Sequence, residues 1–155
     1  MVAGAWFLCR EVELSTTRAR LVTPEKGPSG EASVRWCLPA SKNDVEAMGV
    51  SRVHGCSCGG GLQASCPYHA AEIQLLRLKR LFPSRWTEGV ADWDLPLFPT
   101  KEGNVVMKEK MAATILEAAR RLEVVTELAD GSARVTGHSL RVSGAQGLAR
   151  AGLEV

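Results

Sequence analysis

Apolar Phe7, Leu8 and Leu14 recur against a polar face carrying Arg10 and Glu13, and this pattern predicts a helix from the start of the chain to about Ala19. The run Thr23-Pro24-Glu25-Lys26-Gly27-Pro28-Ser29-Gly30 is turn chemistry, because proline fixes φ and glycine frees it where a chain reverses. Val34-Arg35-Trp36-Cys37-Leu38 alternates with period two and predicts a half-buried strand, which Pro39 stops. Ser41-Lys42-Asn43-Asp44 then reads as a tight polar turn, with a second short strand around Val50 to Val53. Gly55 to Pro67 is a loop rich in glycine and cysteine. Ala71, Leu75, Leu78 and Phe82 fall at helical spacing, and Pro83 closes that helix. Asp92 to Pro99 is extended, since each proline turns its predecessor away from the helical region. Met111, Ile115, Ala118 and Leu122 form the stripe of a further helix. Thr136-Gly137-His138-Ser139-Leu140-Arg141 opens the last one, whose Leu140, Gly144, Leu148 and Ala151 make a narrow face for close packing. The elements add up to an α+β fold, mainly helical with a small antiparallel sheet.

The 155 residues fit a single domain, 1–155, with a buried core. At 45% hydrophobic and 23% charged, the composition excludes a disordered or fibrous chain. No run of about eighteen apolar residues exists to span a bilayer. Met1 to Arg10 lacks the basic leader and cleavage site of a secretory signal, so the expectation is an intracellular protein with no membrane partner. A net charge of +2 neither requires nor forbids a polyanionic partner, because a binding field depends on where charges sit. Five cysteines, an odd number, point to reduced thiols and away from a disulfide framework.

Four cations far apart in sequence carry the candidate chemistry. Arg10 and Glu13 stand three apart, so on a helix the carboxylate can orient the guanidinium. His138 and Arg141 have the same separation where a helix begins, and free N–H groups there favour an anion. Lys42, on its turn, can reach into a cleft. Planar guanidinium forks match the non-bridging oxygens of a phosphate, and histidine or lysine can move a proton. Taken singly, each pattern is also the ordinary one of a solvated surface.

Taken in order, Arg10-Glu11-Val12-Glu13-Leu14, Leu38-Pro39-Ala40-Ser41-Lys42 and His138-Ser139-Leu140-Arg141-Val142-Ser143-Gly144-Ala145 resemble the catalytic domain of tyrosine recombinases, the phage-integrase family. The first is similar to that family's Arg-x-x-Glu-Leu box, the second to its β-hairpin lysine, and the third to its His-x-x-Arg box. Leu97-Phe98-Pro99-Thr100 resembles the segment preceding that last box, and the likeness runs from about Trp6 to Val155. The resemblance implies DNA recombination and integration by a mobile element, through a 3′-phosphotyrosyl intermediate and without a catalytic cofactor. It implies that Arg10 and Arg141 clamp the scissile phosphate, that Lys42 protonates the leaving hydroxyl and that His138 assists proton transfer. The implied partners are double-stranded DNA and other recombinase protomers, and the implied location is at DNA, in the nucleus of a eukaryote.

The family pattern continues past the His-x-x-Arg box to a nucleophilic tyrosine, whereas the one tyrosine here is Tyr68, in Cys66-Pro67-Tyr68-His69 and in a different context. The expectation is therefore a C-terminally truncated recombinase fragment that holds phosphate without cleaving DNA alone. Its alternatives are a recombinase-derived DNA-binding module that acts by occupancy, or a small zinc-organised interaction domain. The 54–69 insert motivates the latter. Cys56-Ser57-Cys58 faces Cys66-Pro67-Tyr68-His69, so Cys56, Cys58, Cys66 and His69 could make a tetrahedral structural zinc site, with His54 a fifth candidate. The other reading of the loop is reduced, metal-free thiols.

Overall fold

The computed structural model describes residues 2–38, 49–59 and 65–152. Alternation along Ala32–Leu38 sends Val34, Trp36 and Leu38 to one side, and all three are buried. This strand, β2, is the centre of an antiparallel sheet with β1 (Val22–Lys26) and β3 (Val50–Gly55) in the order β1-β2-β3. The register sets Val22 against Trp36 and Val34 against His54. The stretch predicted as a turn from Thr23 is strand as far as Lys26, and only Gly27 to Gly30 turns. Gly27 N–H donates to the Glu31 carbonyl at 2.8 Å, and Gly30 takes φ +86°. Pro24 is tolerated because β1 is an edge strand, where a missing N–H need not break a ladder.

The chain divides into two compact units, one comprising Thr17–Val105 and the other Ala3–Thr16 with Val106–Val155. In the first, α3 (Pro67–Leu81) packs on all three strands and buries Tyr68 and Leu78. The extended stretch after Asp92 buries Leu95 and Leu97. Their N–H and C=O groups bond to the Thr17–Ala19 backbone, and the Gln74 side chain donates to the Leu97 carbonyl at 2.7 Å. A two-residue-stranded hairpin, β4 (Trp86–Thr87) with β5 (Val90–Ala91), turns at Glu88 and Gly89, both at positive φ.

Among the described residues the second unit contains four helices: α1 (Val2–Trp6), α2 (Glu11–Thr16), α4 (Lys108–Arg121) and α5 (Ser139–Arg150). The single opening helix predicted to Ala19 is instead two, broken at Leu8, where φ is +53°. Phe7 and Cys9 are both fully buried, and residues two apart on a helix point to different faces, so a continuous helix could not bury both. Helix α2 packs on α4, with Leu14, Met111, Ile115 and Ala119 buried. Leu122, predicted to continue that stripe, caps α4 and is exposed, and Ala119 takes the inward position. Helix α5 lies so close to α1 that a side chain at Gly144 would strike the Ala5 carbonyl oxygen. Mixed helices and small antiparallel sheets make the architecture α+β. No helix among the described residues is long and apolar enough to cross a membrane.

Candidate functional site

The reason for the Arg10-x-x-Glu13-Leu14 spacing is local. Glu13, in the first turn of α2, reaches back so that its Oε2 accepts the Arg10 backbone N–H at 2.6 Å, the reciprocal half of a capping box. Its Oε1 accepts from Arg10 Nε at 3.2 Å and Nη2 at 2.9 Å, which aims the guanidinium. Leu14 anchors the turn in the core. One carboxylate thus caps the helix and positions the cation, in a half-buried setting where solvent screens it only partly.

His138 immediately precedes α5. Thr136 N–H donates to Ser139 Oγ at 2.8 Å and His138 N–H to Thr136 Oγ1 at 3.3 Å, so the two hydroxyls satisfy amide donors where the helix opens. The imidazole comes back against α2: His138 Nδ1 stands 3.9 Å from Glu11 Oε2. Gly137 is buried under the same carboxylate, and any Cβ there would collide with it. Arg141 lies in the first turn of α5, is exposed, and among the described residues has no carboxylate within ion-pair distance. The Arg10 and His138–Arg141 segments therefore belong to one unit, with Glu11 as their meeting point. Lys42 lies outside the described residues, between the last residue of β2 and the first of β3.

In the other unit, four ligand atoms converge. Cys56 follows β3 and extends its ladder, its N–H donating to the Ala32 carbonyl at 2.7 Å. Cys66 caps α3 just before Pro67, and His69 sits in the first turn. All four ligand atoms of Cys56, Cys58, Cys66 and His69 lie within 4.8 Å of one another, close enough to hold a metal ion. The separations are 3.7 Å for Cys56 Sγ to Cys66 Sγ, and 3.8, 3.3 and 3.4 Å from His69 Nδ1 to Cys56, Cys58 and Cys66. Zinc–sulfur and zinc–nitrogen bonds of about 2.3 and 2.0 Å in a tetrahedron imply S···S and S···N edges of about 3.8 and 3.5 Å, so the donor set fits. Burial pushes the Cys66 thiol up, but the N–H groups of His69 and Ser57 and the side chains of His69 and Cys58 outweigh it and hold the thiol at about 5. A thiolate is the form that binds metal.

His54, the fifth candidate from the sequence, lies on β3 and is not a member of this cluster. Tyr68 is buried, its ring edge-on to His69 at 5.0 Å and its hydroxyl donating to Glu72 Oε1 at 3.2 Å. Burial and the Glu72 carboxylate both raise its pKa, the opposite of an activated nucleophile. The residue that spacing did not single out is Glu11, since only the return of α5 onto α2 brings it to His138. Comparison with protein-family models and with curated protein sequences gives no match.

Proposed function

We propose that this chain is a DNA-binding module of the tyrosine-recombinase type, which grips a backbone phosphate with Arg10, His138 and Arg141 and is stapled by a structural zinc ion. The observation that carries the reading is the 3.9 Å approach of His138 to Glu11, the neighbour of Arg10, across nearly the whole length of the sequence. Arg10 is aimed by Glu13, and Arg141 is exposed with no carboxylate within ion-pair distance among the described residues, which suits two guanidinium forks to the non-bridging oxygens of one phosphodiester. In the scheme of the family it resembles, Lys42, outside the described residues, would be the proton donor to a leaving hydroxyl. The chain binds and does not cleave by itself, because its one tyrosine is buried on Glu72.

Zinc at Cys56, Cys58, Cys66 and His69 would supply structure, not Lewis acidity, since four protein ligands complete a tetrahedron. The thiolates and imidazole would then fasten the end of β3 to the start of α3.

Fluorescence anisotropy with a labelled duplex tests the DNA reading. Arg141→Ala is expected to weaken binding by about ten- to a hundredfold, the scale of losing charge-assisted hydrogen bonds. Arg150→Ala, at the far end of the same helix, should stay near wild type, and a nicked duplex should trap no covalent adduct. No binding by wild type, or equal loss in the two variants, would contradict the proposal.

A further inference from the structure

Glu11 stands in the first turn of α2, where its charge suits the positive helix end, but that leaves one of its oxygens unaccounted for. Its Oε2 is buried and, among the described residues, accepts no hydrogen bond, although a buried acceptor left unmade is costly. Glu13, not Glu11, caps α2 and holds Arg10. What faces the free oxygen is His138 Nδ1, and what makes room for it is the absent side chain of Gly137. The imidazole itself is mostly exposed, so its other nitrogen, Nε2, is the one available to a ligand.

Resting on the phosphate-gripping reading above, we infer that Glu11 is a positioning residue for His138: it keeps the proton on Nδ1 and turns Nε2 toward the bound phosphodiester. A histidine with one nitrogen committed to a carboxylate has a fixed tautomer and a fixed ring plane. Neutral, it offers the Nε2 lone pair to a hydroxyl proton. With both nitrogens protonated it donates Nε2–H to a phosphate oxygen, Nδ1–H still facing Glu11. The 3.9 Å gap exceeds hydrogen-bond length, and such contacts commonly tighten when a ligand arrives.

The tautomer can be read directly by long-range proton–nitrogen correlation on the full chain with labelled histidine, at a pH where the ring is neutral. His138→Asn identifies the signal among the three histidines. Wild type is expected to carry the proton on Nδ1. Glu11→Leu, of similar bulk but without an acceptor, should shift the signal to the Nε2–H form, and Glu11→Gln, which keeps one acceptor oxygen, should lie between. Gly137→Ala, which displaces the carboxylate, should behave like Glu11→Leu. A wild-type proton on Nε2, or a Leu variant with an unchanged tautomer, overturns the inference, and the wild-type spectrum decides even where a variant fails to fold. This readout is independent of DNA: a chain that ignores DNA but holds Nδ1–H loses the functional reading alone.

Discussion

Cys58→Ser is expected to abolish stoichiometric zinc retention and to lower the melting temperature of the Thr17–Val105 unit by more than about 10 °C. An ion present at a thousandfold excess over its dissociation constant contributes about 4 kcal/mol, and a domain of this size shifts about 4–8 °C per kcal/mol. Cys58 is half-buried and serine nearly matches its shape, so the loss reports ligation more than packing. Chelation of wild type should reproduce the shift. Cys37→Ser, at an exposed thiol outside the cluster, should leave zinc content and melting unchanged. Elemental analysis with thermal denaturation checks both. A wild-type chain that retains well under one zinc, or a Cys58→Ser chain that melts like wild type, would remove the staple.

Two glycine-to-alanine changes in α5 should act with opposite signs. At Gly144 the added methyl meets the Ala5 carbonyl oxygen, a backbone atom that cannot rotate aside, and then the Leu8 side chain at 2.9 Å. Overpacking of this kind costs about 1–3 kcal/mol, and the upper end is expected because two helix backbones must separate. At Gly147 nothing lies within 4 Å, so alanine should stabilise the helix by about 0.5–1 kcal/mol through its better propensity. Because α5 carries Arg141 and follows directly on His138, Gly144→Ala should also weaken DNA binding while Gly147→Ala spares it. Chemical denaturation beside anisotropy separates these effects.

Elements dictated by local chemistry were legible in the residue pattern. The alternation from Val34 to Leu38 gave β2, because its inward face is buried, and the spacing of Ala71, Leu75 and Leu78 with Pro83 gave α3, whose face is half-buried at Ala71 and Leu75 and buried at Leu78. Strand β1 was not legible: Pro24 and its charged neighbours look like a turn, and only pairing with β2 makes them a strand. The break at Leu8 was hidden for a related reason, since burying both Phe7 and Cys9 is a tertiary demand that overrides helical periodicity. The four candidate metal ligands could be read because Cys56 and Cys58 lie just beyond β3 and Cys66 and His69 at the start of α3, close in sequence. Glu11 could not, for its partner arrives from the other end of the chain.

The central claim is that Arg10 and Arg141 each meet a DNA phosphate, and the salt dependence of duplex binding tests it most directly. Each neutralised phosphate releases counterions, so the logarithm of affinity falls with the logarithm of salt concentration at about 0.9 per contact. Arg10→Ala and Arg141→Ala, which remove cations from the same phosphate, should each reduce that slope by up to about one, uniformly across DNA sequences, as phosphate contacts do. Slopes identical to wild type in both variants, or a wild-type chain that does not hold duplex DNA at low salt, would contradict the account.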